Sequence, residues 1–61
     1  MILATQVIYF SFNGVPARYE PKKFPVKVVN GKDVVIYDLE RFFRESVVIS
    51  RKEYEKLIKE N

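Results

Sequence analysis

The chain has 61 residues, 48% of them hydrophobic, and eleven Lys and Arg against eight Asp and Glu give a net charge of +3. With no Cys and no His it cannot build disulfides, thiolate metal sites, or Ser-His-Asp, Cys-His and zinc-water mechanisms. One domain over 1–61 buries only about 60% of the surface its unfolded form exposes, so it needs dense packing or a partner.

The opening "MILATQVIYFSFNGVPA" carries no charged side chain. Its longest apolar run, "VIYF", is far short of the ~20 residues of a membrane span. No basic residue precedes Arg18, as the n-region of a signal peptide would require. No membrane partner is expected, and the missing thiols fit a reducing cytoplasm. Val7, Ile8, Tyr9, Phe10 and Phe12 are β-branched or aromatic and favour a strand. Asn13-Gly14 is the preferred pair for a type I′ turn, which fixes the register Phe12–Val15, Phe10–Ala17 and Ile8–Tyr19. Those six residues share a core face, and Val7, Tyr9, Ser11, Pro16, Arg18 and Glu20 occupy the other. Pro16 has no N–H to give, so the second strand should be a local sheet edge there, or bend.

"EPKKFP" reads as an irregular corner. In "FPVKVVNGKDVVIYDL" the second Asn-Gly pair predicts another hairpin, with Val28–Asp33, Lys27–Val34 and Val26–Val35 opposite one another. One face gathers Phe24, Val26, Val28, Val35, Tyr37 and Leu39; the other carries Lys27, Val29, Lys32, Val34 and Ile36. "LERFFRES" then spaces Leu39, Phe42 and Phe43 as one amphipathic helical turn, with Glu40–Arg44 and Arg41–Glu45 as opposite-charge pairs. Val47-Val48-Ile49 predicts a short strand. Ser50 and Glu53 have capping-box spacing for a final helix that lines up Tyr54, Leu57 and Ile58.

The predicted fold is mainly β with a C-terminal helix (β or α+β), in the order β-β-β-β-short helix-β-α. A small SH3-like five-stranded barrel and an open antiparallel sheet both satisfy that order. The "IYD" that ends the fourth strand and the Ser-capped "SRKEYEKLI" resemble parts of the seven-kilodalton archaeal chromatin proteins. That likeness implies a hairpin, a three-stranded sheet and a C-terminal helix, although those proteins coat DNA with a far more basic sheet. "VVISRKEYEKL" is similar to the strand-then-helix piece of Phd/YefM-type antitoxins, and the rest of the chain does not follow that family. Six Glu against two Asp, with Lys the commonest base, is a bias found in thermophile proteins.

The charge is uneven. Residues 1–17 have none, residues 34–61 balance, and the whole excess lies in 18–33: Arg18, Lys22, Lys23, Lys27 and Lys32 against Glu20 and Asp33, or 5 − 2 = +3. These five cations, with Tyr9 to stack on a base, are the candidate contacts to DNA or RNA. Five phosphate contacts would give a salt slope of about −4 to −5 on duplex DNA. The competing explanation is edge protection, since Lys on exposed strands discourages aggregation.

The first strand fails to alternate. Leu3, Val7 and Tyr9 are apolar opposite the Ile8-Phe10-Phe12 side, and Val29, Val34 and Ile36 add a similar excess in the second hairpin. A sheet with one wet face should alternate, so these six residues form the candidate interface of a homodimer. The expectation is a binding module without catalytic residues, metal or cofactor. Sequence-tolerant nucleic-acid binding leads, and a homodimeric interaction or structural adaptor is the alternative.

Overall fold

Asn13-Gly14 and Asn30-Gly31 reverse the chain in the computed structural model, which describes residues 6–60. Asn13 and Asn30 both have φ 53°, and Gly14 and Gly31 have φ 85° and 77°. Two consecutive positive φ values are what a type I′ turn requires. The first turn joins β1 (Ile8–Phe12) to β2 (Val15–Tyr19), and the second joins β3 (Val26–Val29) to β4 (Lys32–Val35). Both hairpins take the register that the turns predict.

Pro16 limits how β2 can pair with β3. A strand flanking a two-residue turn alternates its backbone groups, so Phe12 and Phe10 bond β2 while Tyr9 and Ser11 turn the other way. By the same alternation Pro16 and Arg18 face β3, where Pro16 has no N–H to offer. Pairing of β2 with β3 is accordingly confined to Ala17↔Lys27 and Arg18↔Val26. Beyond Val26 the Ile36 N–H donates to the Pro25 carbonyl at 2.8 Å and carries the second hairpin one step further.

Asp38 caps α1 (Leu39–Glu45), its side chain accepting from the Arg41 N–H at 3.0 Å. β5 (Ser46–Ile49) follows directly and lies antiparallel to β1, with Tyr9 opposite Ile49 and Phe10 opposite Val48. Ser50 Oγ then accepts from the Glu53 N–H at 3.1 Å and starts α2 (Arg51–Glu60). The strand order is β4-β3-β2-β1-β5, an open antiparallel sheet with β1 near its middle. It does not close into a barrel.

Each face of β1 has its own helix, which accounts for part of the failed alternation. On one face Phe42 of α1, fully buried, packs with Phe10, Ala17 and Ile36, and Phe12 and Tyr19 border that cluster. Rings meet edge-on there, with Phe10–Phe42 centroids 4.9 Å apart. On the opposite face Tyr54 of α2, also buried, lies over Tyr9 at 4.6 Å. β1 is apolar on both sides because it is the filling between two helices. The two helices cover Phe10 and Tyr9, while Val7 and Ile8 stay 36% and 39% exposed.

Candidate binding surface

Arg18 looks from the sequence like part of a basic patch, and its surroundings give it another task. Its guanidinium donates to both Asp33 carboxylate oxygens, Nη2 to Oδ2 at 2.6 Å and Nη1 to Oδ1 at 3.3 Å. Nε donates to Glu20 at 3.0 Å, and Nη1 also donates to the Tyr54 hydroxyl at 3.1 Å. Asp33 holds the Arg18 pKa far up, and Arg18 in turn holds the Asp33 and Glu20 carboxyls below their ordinary range. A forked, charge-assisted pair of this kind is directional. Arg18 therefore pins β4 and α2 to β2, and no donor fork is left for a phosphate.

With Arg18, Glu20 and Asp33 bound to one another, the excess positive charge of this region rests on Lys22, Lys23, Lys27 and Lys32. Lys27 lies beside Ala17 across the β2–β3 ladder, on the face that α1 covers, and Lys32 shares that face. Lys22 and Lys23 sit at the corner between the hairpins. There the Lys23 N–H donates to the Glu20 carbonyl at 3.2 Å, closing a turn with Pro21 and Lys22 at its centre. Lys22 has φ 63°, a left-handed conformation that costs a side-chain-bearing residue energy. Lys23 approaches Glu20 at 3.6 Å. Among the described residues no carboxylate pairs with Lys22, Lys27 or Lys32 within 4.0 Å. Tyr9, the proposed stacking ring, lies beneath Tyr54 on the other side of the sheet and cannot serve with them.

Two other rings stand where Tyr9 was expected to act. Phe24 and Tyr37 contact each other with centroids 5.3 Å apart, and they are 48% and 75% exposed. A hollow of about 180 Å³ bounded by Tyr19, Lys22, Lys23, Phe24 and Leu39 opens on one side of the pair. A second hollow of about 240 Å³ runs along α1, where Lys27, Val34, Tyr37 and Arg41 are among its walls. Tyr37 borders this second hollow and touches Phe24 of the first, so the aromatic pair forms a ridge between two basic depressions. Arg41 also pairs with Glu45 at 3.3 Å, and Asp38 lines the second hollow with its carboxylate engaged at the helix cap.

Phe24, Tyr37 and Arg41 were not among the sequence candidates. Phe24 and Tyr37 continue the apolar alternation of β3 and β4 on paper, but the strands stop at Val26 and Val35. The signal was in the neighbours. Phe24 precedes Pro25, and Tyr37 precedes the helix cap Asp38, so both belong to connections rather than strands.

The six apolar interface candidates do not form one surface. Leu3 lies outside the described residues. Tyr9 is on the α2 face, and Val7, 36% exposed, precedes β1. Val29, Val34 and Ile36 are on the α1 face, since Ala17, Lys27 and Val34 are cross-strand neighbours. Ile36 is buried in the core, so only Val29 and Val34 of those three are open to contact. Among the described residues no group of Asp and Glu could hold a metal ion, and no helix is long and apolar enough to cross a membrane. Compared with known proteins, the chain matches no family model, no curated protein and no solved structure.

Proposed function

We propose that this chain is a sequence-tolerant module for single-stranded nucleic acid, which it holds on the α1 side of the sheet. Phe24 and Tyr37 stack against bases, and Lys22, Lys23, Lys27 and Lys32 meet the phosphates. What carries the reading is the exposed Phe24–Tyr37 ridge flanked by hollows with basic walls. Bare aromatic faces between cations suit bases that are already unstacked, because each base offers a π-face whatever its identity. A duplex keeps its bases stacked and would meet only the lysines.

Four phosphate contacts on a single strand give a salt slope of about −3, and each lysine removed lowers it by about 0.7. Fluorescence anisotropy with labelled single-stranded DNA, single-stranded RNA and duplex tests the reading. Single strands should bind with that slope, and Tyr37→Ala should weaken them about ten-fold or more. The absence of salt-sensitive binding at low ionic strength would exclude the function.

A further inference from the structure

The two Asn-Gly turns share their backbone geometry and differ in what holds them. An Asn-Gly pair is chemically reactive. The glycine nitrogen, on losing its proton, attacks the asparagine Cγ; ammonia leaves, and water opens the resulting succinimide to aspartate or isoaspartate. Glycine leaves that nitrogen unshielded by a side chain. Asn13, Gly14, Asn30 and Gly31 are all exposed, and nothing lies within 4 Å of the place a Cβ would take on either glycine. Water and base reach both turns.

Ring closure needs the glycine nitrogen against Cγ, a geometry outside the type I′ turn, so each turn must first open locally. The first turn resists. The Gly14 N–H, whose proton must go, donates to Ser11 Oγ at 3.2 Å. The Asn13 Nδ2, the group that must leave, donates to Glu45 Oε1 at 2.9 Å and is tied to the end of α1. The strand before this turn, β1, is also held between β2 and β5.

The second turn has neither bond. Val28, two residues before Asn30, stands where Ser11 stands before Asn13, and it has no hydroxyl to offer the Gly31 N–H. Among the described residues no side chain bonds the Asn30 amide. β4, which leaves this turn, is an edge strand with every residue exposed. Lys32 follows Gly31 without a carboxylate partner, and a cation so close in the chain favours the deprotonated nitrogen.

We propose that Asn30-Gly31 is a self-modification site, at which Asn30 loses its amide to become aspartate and isoaspartate while Asn13 is kept intact. Either product adds a carboxylate and takes the net charge from +3 to +2, since 3 − 1 = 2. Isoaspartate also lengthens the main chain by one carbon inside the turn that sets the Val29–Lys32 register. Its carboxylate is of the class that isoaspartyl carboxyl methyltransferases take as substrate. The proposal does not rest on the nucleic-acid reading.

The native chain, aged in mildly alkaline buffer below its melting temperature and then mapped peptide by peptide in a mass spectrometer, tests it. Each hydrogen bond that must break before ring closure slows Asn13 about five-fold, so the two together hold it roughly twenty-fold behind Asn30. In concentrated urea the two rates should converge. Ser11→Ala and Glu45→Ala should each speed Asn13 about five-fold. An unchanged Asn30 rate in the same variants shows that the fold persists. Asn13 reacting as fast as Asn30 in the folded native chain would overturn the proposal. So would an intact Asn30 after ageing that converts both sites in urea, or a difference between the sites that urea leaves unchanged.

Discussion

Arg18 on β2 reaches past β3 to Asp33 on β4, and its Nη2 meets Oδ2 at 2.6 Å. One guanidinium thereby ties an edge strand to the middle of the sheet, and through Tyr54 it ties α2 to the same place. The side chain of Arg18 is only 24% exposed, so its contacts are partly shielded from water. Arg18→Ala should cost about 2–3 kcal/mol, because it strips partners from Asp33, Glu20 and Tyr54 together. Asp33→Ala alone should cost about 1 kcal/mol, since Asp33 is itself well exposed. Urea unfolding of the two single variants and the double variant should show strong non-additivity. Additive losses would mean that the pair holds nothing together.

Acid should loosen the same junction. The Asp33 and Glu20 carboxyls are held low by hydrogen bonds from Arg18, and Glu45 is held low by the Asn13 amide, with Arg41 adding to it. A carboxyl whose folded value is depressed contributes stability that is complete above its unfolded value, about 4, and lost as pH falls through the lower folded value. The melting temperature should be flat above about pH 5 and fall below about pH 4. Asp33→Asn should lie below the native chain at neutral pH and approach it in acid.

The two adjacent phenylalanines of α1 should differ sharply. Phe42 is fully buried among Phe10, Ala17 and Ile36, so Phe42→Ala leaves a cavity and should cost about 3–5 kcal/mol. In so small a domain that is most of the stability. Phe43 is 51% exposed and touches Tyr19 and Phe10 edge-on. Phe43→Ala should cost about 1–2 kcal/mol. Thermal unfolding of the pair distinguishes them, and equal losses would contradict the packing described.

These contrasts separate what local sequence discloses from what it hides. The Asn-Gly turns determine their registers locally, so both hairpins and the halt at Pro16 are readable from neighbouring residues. The cover over Tyr9 is not, because it depends on β5 docking against β1 and sending α2 back across the sheet. Arg18 misleads for the same reason: its partners Asp33 and Tyr54 lie 15 and 36 residues away. Lys22 and Lys23 need no distant partner to be recognised as exposed cations. Tyr37 escapes because the alternation runs on paper past the true end of β4.

Lys22 offers a test in which stability and binding move in opposite directions. Its positive φ favours glycine, which avoids the side-chain clash but gains freedom in the unfolded chain. Lys22→Gly should stabilise the fold by about 0.5–1 kcal/mol. It should also weaken single-strand binding and lower the salt slope by about 0.7. A stabilised variant with native binding would remove Lys22 from the surface.

The most direct test of the nucleic-acid reading is a titration of isotope-labelled protein with a short single-stranded oligonucleotide, followed through backbone amide shifts. Shifts should concentrate at Lys22, Lys23, Phe24 and Lys27 and from Tyr37 to Arg41, with Tyr9, Arg18 and the exposed face of α2 unmoved. Shifts centred on Tyr9 and α2, or none at low ionic strength, would contradict it.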